Sequence, residues 1–214
     1  MGAEQVRHPI FAKIYSRFAP QMDAAGARKH REELLAGLSG RVIEVGAGTG
    51  LNFKRYPATV TEVLAVEPEP HLRAIAEKAA ADAAVTVTVV DGTAGELPAP
   101  DGAFDAVVAS LMLCSVRDLP KALAEMRRVM RPGGELRFYE HVRSANAVLG
   151  SVQRALDVMW PHLFGGCHTS RETAAAIGDA GFEIERSRRL TFRPAIFAAP
   201  VAPHIIGVAR RPAH

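Results

Sequence analysis

Three features of this chain predict an α/β fold with an open, doubly wound sheet. From residue 41 onward, short β-branched runs alternate with helical segments. A glycine-rich turn, Gly46-Ala47-Gly48-Thr49-Gly50, closes the first apolar run. A carboxylate, Glu67, closes the second. Alternation of this kind gives parallel strands joined by crossover helices, whose ligands lie at the carboxyl ends of the strands. A turn without side chains lets a ligand approach the backbone. An acid at the next strand tip can accept hydrogen bonds from both hydroxyls of a ribose. Together they predict a nucleoside-cofactor site.

The elements follow in order. Residues 9–38 read as two helices broken near Pro20, with Phe11, Ile14, Tyr15 and Phe18 on one helical face and Leu34, Leu35 and Leu38 on the second segment. Gly37 and Gly40 mark its end. Residues 1–40 are thus expected to form a helical lid on a single globular domain, residues 41–214. Val42, Ile43 and Val45 make strand one, residues 41–46, with a helix beginning near Thr49. Strand two is residues 61–67 and precedes an alanine-rich helix over 69–82. Val85 to Val90 alternates β-branched residues as strand three, and Phe104 to Ser110 is strand four. Leu119, Leu123, Met126 and Val129 define a helix over about 118–130, and Pro132-Gly133-Gly134 stops and turns the chain before strand five, Glu135 to Glu140. Val148, Leu149, Val152, Leu156 and Trp160 predict a long helix over 145–164, broken by Gly165-Gly166. Thr169 and Glu172 stand in capping-box spacing before a further helix that ends at Gly181. Strands at 182–191 and 204–210 close the chain.

Composition sets the outer bounds. A chain of 214 residues, 48% hydrophobic and 23% charged, is an ordinary globular length and mixture. A formal charge of +3, with arginines dispersed rather than in runs, gives no reason to expect nucleic acid as a partner. Arg186-Ser187-Arg188-Arg189 and Arg210-Arg211 read as solvated strand ends. Two cysteines, Cys114 and Cys167, are too few for a disulfide framework and suit a reducing compartment. They lack the close pairing of a zinc site, so no metal is expected. The start has no apolar stretch long enough for a signal peptide or span, which makes a cytoplasmic protein without stable membrane insertion the expectation. The N-terminal helices leave self-association open, with no interface signature.

The turn itself selects among cofactors. Nicotinamide and flavin enzymes use G-x-G-x-x-G to seat a pyrophosphate on a helix N-terminus, whereas here the spacing is G-x-G-x-G. With Glu44 before it and Glu67 after it, Glu44-Val45-Gly46-Ala47-Gly48-Thr49-Gly50 resembles motif I of the class I S-adenosylmethionine-dependent methyltransferases. Gly92 to Pro98, Phe104-Asp105-Ala106-Val107-Val108 and Arg131-Pro132-Gly133-Gly134 fit the same superfamily over residues 41–141. The resemblance implies a Rossmann-like sandwich, with a seven-stranded, mostly parallel sheet, one antiparallel strand and helices on both faces. It also implies S-adenosyl-L-methionine as cofactor. The backbone of Gly46, Ala47 and Gly48 would approach the methionine moiety, with Glu44 and Asn52 nearby, and Glu67 would read the ribose. Pro68, Ser110 and Leu111 complete the set. The usual adenine-binding acid position holds Thr93, so either Asp91 swings in or Thr93 and the Ala94 N–H do the reading.

Beyond strand five the likeness narrows. Leu113-Cys114-Ser115-Val116, Glu140-His141-Val142, Asp157 to Trp160, Gly166-Cys167-His168-Thr169 with Arg171-Glu172, and Pro203-His204-Ile205 resemble the alkyl thiol methyltransferases and their bacterial relatives. Animal members add an N-terminal membrane anchor that this sequence does not match. The resemblance implies methylation of a small thiol, the partner being a small-molecule methyl acceptor. His141 or His168 would deprotonate or hold the acceptor, in a pocket walled by Trp160, Leu111, Met112 and Phe11 or Tyr15. Alternatives are oxygen, nitrogen or carbon methylation of a quinone, phospholipid amine or secondary metabolite. More distant are a nicotinamide-dependent oxidoreductase and a non-catalytic cofactor-binding module.

Overall fold

A computed structural model describes residues 8–193 and 196–213. Its seven strands are β1 (Gly40–Val45), β2 (Val60–Val66), β3 (Thr86–Val90), β4 (Phe104–Ser110), β5 (Met130–His141), β6 (Glu183–Thr191) and β7 (Pro203–Arg210). They form one sheet in the order β3-β2-β1-β4-β5-β7-β6. All pairings are parallel except those of β7, which runs antiparallel to both neighbours. The chain order reverses at β1, flanked by β2 and β4, so the crevice expected of a doubly wound sheet opens there.

Alternation along the central strands sends side chains to two cores. Ile43, Val45, Val107, Leu136 and Phe138 pack with Leu123 and Met126 of α4 (Leu119–Val129) and Ile177 of α7 (Thr173–Asp179). Val42, Ala65, Val108 and Tyr139 pack on the other face, with Leu34 and Leu35 of α2 (Arg28–Leu35) and Ala76 of α3 (Pro70–Ala80). The edge strand β6 is exposed almost throughout and carries the arginines expected to be solvated, charges that also discourage edge-to-edge pairing.

Several local expectations are corrected. Helix α1 (Pro9–Met22) runs through Pro20, which forfeits only one backbone hydrogen bond near the helix end. The break comes instead at Gly26, whose φ of 133° no helix accommodates. On α1 the fully buried positions are Ala12 and Ala19, while Ile14 and Phe18 lie about half exposed. After β1 no long helix forms. The connection makes one short turn, Phe53–Arg55, and α2 packs against it. Residues 131–134 sit within β5 as an outward bulge, since Met130 pairs with Phe104 and the next partners are Glu135 and Ala106. The long helix expected over 145–164 is two, α5 (Ala147–Leu156) and α6 (Trp160–Leu163). The split falls where the Asp157 carboxylate is drawn to Thr169 and Ser170. Thr169 therefore caps nothing: it is buried, its hydroxyl bonds Gln153 and Asp157, and α7 starts after Glu172 without a side-chain cap.

Candidate active site

The glycine turn hangs from β2. Gly46 and Ala47 both donate backbone N–H to Val66 O, at 2.8 and 3.1 Å. Gly46 has φ 71°, and a Cβ there would come within 2.8 Å of Met112 Cβ, so the loop after β4 can close on the turn only if this residue is glycine. Gly48, at φ 58°, lies under the ring of Tyr15 from α1. Its N–H donates to Glu67 Oε2 at 2.7 Å, and Glu69 N–H donates to Glu67 Oε1 at 2.9 Å. Both carboxylate oxygens of Glu67 are thus aimed by the backbone, each with acceptor capacity left over. Burial pushes the Glu67 carboxyl up against the lowering effect of these two amides. Glu69 caps α3 through His71 and Leu72 N–H, which fixes the turn containing Pro68.

Beneath the turn lies a buried polar network. Glu44 accepts from Asn52 Nδ2 at 2.8 Å and from the Tyr56 hydroxyl at 2.6 Å. Burial raises its carboxyl to about 7, despite those two hydrogen bonds. Arg31 of α2 donates to Asn52 Oδ1 and Ser110 Oγ, each at 3.1 Å, and pairs with Asp23, which also holds Arg55 at 2.6 Å. Arg31 was invisible in the sequence, one cation among several in Arg28-Lys29-His30-Arg31. Only packing shows that it ties α2 to Asn52 after β1 and to Ser110 at the end of β4.

On the β3 side, Asp91 is exposed and paired with Arg73 at 2.9 Å. Thr93 and Ala94 sit half-buried in a tight turn closed by Glu96 N–H on Thr93 O at 3.2 Å. At the end of β4, Leu111 adopts φ 58°, the sole positive value on a non-glycine residue among those described. A left-handed leucine costs of order 1–2 kcal/mol, and here it re-aims the chain. The next three N–H groups, of Met112, Leu113 and Cys114, converge on the fully buried Glu140 carboxylate at 3.0, 3.0 and 3.2 Å.

His141, the last residue of β5, faces two sulfurs. Its Nδ1 is 3.5 Å from Cys114 Sγ and 3.6 Å from Cys167 Sγ, and the sulfurs are 3.8 Å apart. Both thiols are free and buried. The hydrogen bond between them, then His141, holds Cys167 well below the ordinary thiol range, while the same bond and burial push Cys114 up. The absence of a close Cys/His set expected from sequence is therefore corrected: two loops and the end of β5 bring together what linear spacing hid. Behind His141, the His204 ring packs edge-on at 4.6 Å, and burial lowers its pKa to about 3. His168 is placed differently. Its N–H donates to Cys114 O at 2.8 Å, but its ring is partly exposed and 3.9 Å from Asp157. Trp160 stacks on Phe164 at 4.1 Å, a pairing within its own helical turn. Phe11 closes over this loop, so near that a Cβ on Gly165 would fall within 2.6 Å of its ring. It also stacks on Tyr15, the ring above Gly48, with centroids 5.8 Å apart.

The buried Glu67 carboxylate, the bare turn and a Thr49 hydroxyl that is buried without a partner fit a ribose and an amino-acid tail laid along backbone. With this strand order, they define a class I S-adenosylmethionine-dependent methyltransferase. The family model described as "Methyltransferase domain" matches residues 43–138. The chain is 37% identical over 182 residues to the human thiol S-methyltransferase TMT1B, covering 82% of this chain and 73% of the relative. It is 34% identical over 210 residues to human TMT1A, covering 93% and 85%. A SAM-dependent methyltransferase of Thermotoga maritima superposes with a TM-score of 0.68 at 23% identity, over 94% of this chain and 99% of that one, a likeness of fold. The chain belongs to the thiol S-methyltransferase family.

Proposed function

We propose that this enzyme methylates the sulfur of a small thiol. The carrying observation is the Cys114–His141–Cys167 group, joined to the cofactor turn by the Leu111–Met112 loop, with Phe11 against Gly165 of the Cys167 loop and stacked on Tyr15 over Gly48. The names of the human relatives support the same acceptor chemistry. S-adenosylmethionine, when bound, supplies an electrophilic methyl group on a sulfonium. The residues of the chain do the rest. Glu67 accepts the ribose hydroxyls, and the backbone of Gly46, Ala47 and Gly48 lines the amino-acid tail, backed by Glu44 and Asn52. Pro68 borders the ribose. Thr93 and Ala94 read the adenine, because the exposed Asp91 carboxylate is engaged by Arg73. Ser110 and Leu111 form the wall between cofactor and acceptor.

Methyl transfer is an in-line displacement in which alignment carries much of the rate. A rigid acceptor side suits it. Asp157 pins Thr169 and Ser170, Arg171 clamps Leu113 O and Val116 O, and the His168 N–H fastens one loop to the other. The stacked Phe11 and Tyr15 rings add apolar surface beside the turn, which suits a reaction that neutralises a cation. A free thiol ionises near pH 8.5, so the acceptor needs only modest help to react as thiolate. We assign that help to the group built on His141, and give His168 the positioning of the loop. Two free thiols suit a reducing compartment, and we propose a cytoplasmic location on that ground; among the described residues no helix is long and apolar enough to cross a membrane.

Release of S-adenosylhomocysteine, measured across small alkyl and aryl thiols and their hydroxyl counterparts, tests the proposal. Turnover is expected on thiols and not on the matched alcohols and phenols. Turnover confined to oxygen, nitrogen or carbon acceptors overturns it.

A further inference from the structure

Three potential ligand atoms meet at the acceptor side from separate parts of the chain. Cys114 comes from the loop after β4, His141 from the tip of β5 and Cys167 from the loop before α7. Their separations are 3.8 Å between sulfurs and 3.5 and 3.6 Å from each sulfur to Nδ1. A tetrahedral zinc ion, with Zn–S about 2.3 Å and Zn–N about 2.0–2.1 Å, has S···S edges of roughly 3.8 Å and S···N edges of roughly 3.6 Å. The triangle is therefore one face of a zinc tetrahedron. It is not a disulfide, since the sulfurs are far beyond the roughly 2.05 Å of a bond. Two thiolates and an imidazole are also the donor set that suits Zn²⁺ among the divalent metals.

The surroundings hold that face rigid. Three amides on buried Glu140 fix the Cys114 backbone, His168 N–H ties the Cys167 loop to Cys114 O, and Arg171 grips the carbonyls either side of Cys114. Outer contacts of this kind orient metal ligands and sustain affinity. Three protein ligands leave one position open, the arrangement of catalytic rather than structural zinc.

We propose that Cys114, His141 and Cys167 bind a zinc ion whose fourth position takes the acceptor thiol as a thiolate. The site rests on the geometry above, and its occupant rests on the thiol reading. Binding is redox-neutral: the S–H bond breaks, its proton leaves to solvent, and the sulfur lone pair forms the bond to the metal. Cys114 and Cys167 each lose their S–H proton to solvent as the ion binds, and the two thiolates balance its charge. The Arg171 guanidinium, held on Leu113 O and Val116 O, is the cation of this neighbourhood. His141 then works as a ligand, not as a free base.

The reduced, full-length chain, freed of metal and titrated with Co²⁺, should bind one equivalent. The expected spectrum has the visible bands of a tetrahedral ion and a thiolate-to-cobalt charge-transfer band, all displaced by Zn²⁺. β-Mercaptoethanol should shift the visible bands and phenol should not. Cys114→Ser and Cys167→Ser should each weaken zinc affinity by about 100-fold or more, with S-adenosylhomocysteine binding retained as proof of folding. No cobalt at one equivalent, or an unchanged spectrum in the double serine variant, overturns the site. Bands indifferent to thiol overturn its role as acceptor site. Full thiol turnover by the metal-free chain refutes the inference and leaves the thiol reading standing. A thiol-responsive cobalt spectrum with turnover of phenols alone leaves the metal site standing and overturns both the thiol reading and the acceptor's place at the metal.

Discussion

Removing the Glu67 carboxylate is the sharpest probe of the cofactor site. The side chain is 5% exposed, and its two oxygens are held at 2.7 and 2.9 Å from the Gly48 and Glu69 N–H groups. Each oxygen is left to accept one ribose hydroxyl. A hydrogen bond to a charged group contributes about 1.5–3 kcal/mol. Two of them are worth about 3–6 kcal/mol, and water entering the vacated space in Glu67→Ala recovers part of that. A net loss of about 3 kcal/mol corresponds to a Kd for S-adenosylhomocysteine weakened by roughly 100–200-fold. Calorimetric titration reads this directly. The same substitution strands two buried N–H groups at about 1–3 kcal/mol each, so the melting temperature should fall as well. Glu67→Gln keeps one acceptor and should lie between wild type and Glu67→Ala in affinity. A folded Glu67→Ala chain that binds within about three-fold of wild type would refute the assignment of ribose recognition to this carboxylate.

Other perturbations test the structure around it. His204 is held down to about 3 by burial, against about 6.5 when unfolded, so between those values the unfolded chain takes up a proton that the folded chain refuses. Stability therefore drops as pH falls below 6.5, by about 1.4 kcal/mol per unit for this group. His204→Phe keeps a ring against Tyr139, so its denaturation midpoints should lose about 2 kcal/mol less than wild type between pH 7 and pH 5; contributions from Glu44 cancel in the comparison. Arg31→Met leaves Asp23 short of one buried partner and should cost about 3–5 kcal/mol, seen as a melting temperature lower by roughly 6–20 °C. His168→Ala removes a partly exposed ring and keeps the N–H that holds Cys114 O, so kcat/KM on a small thiol should stay within about three-fold of wild type. A loss as large as that of His141→Ala would return His168 to the chemistry.

Much of the fold was legible because it rests on short-range pattern. β4 emerged with its observed bounds, since after Asp105 the apolar run Ala106-Val107-Val108-Ala109 is short and β-branched at its centre, as a strand buried on both faces of a parallel sheet requires. The glycine turn and Glu67 were legible for the same reason: backbone exposure and the carboxylate at the strand tip are local properties that the βαβ geometry brings together. Helix ends were harder. Residues 145–164 carry one amphipathic pattern, but the chain breaks at Asp157, whose carboxylate finds four donors on Thr169 and Ser170 that no window of sequence contains. Pro20 misled in the opposite direction, because a proline in the last turns of a helix removes one donor and α1 tolerates its loss.

By itself the sequence determined the sheet, the adenosyl-cofactor crevice and the family, since each is written in residues that neighbour one another along the chain or sit one crossover apart. Tertiary structure alone decided the rest. It chose Arg31 as the cation beneath the turn, paired Asp91 with Arg73 and placed His168 at a loop junction. It also closed Cys114, His141 and Cys167 into a triangle across 26 to 53 residues of sequence. Such meetings depend on where loops land once two cores are packed, and a difference of an ångström there decides between a ligand set and three unrelated side chains.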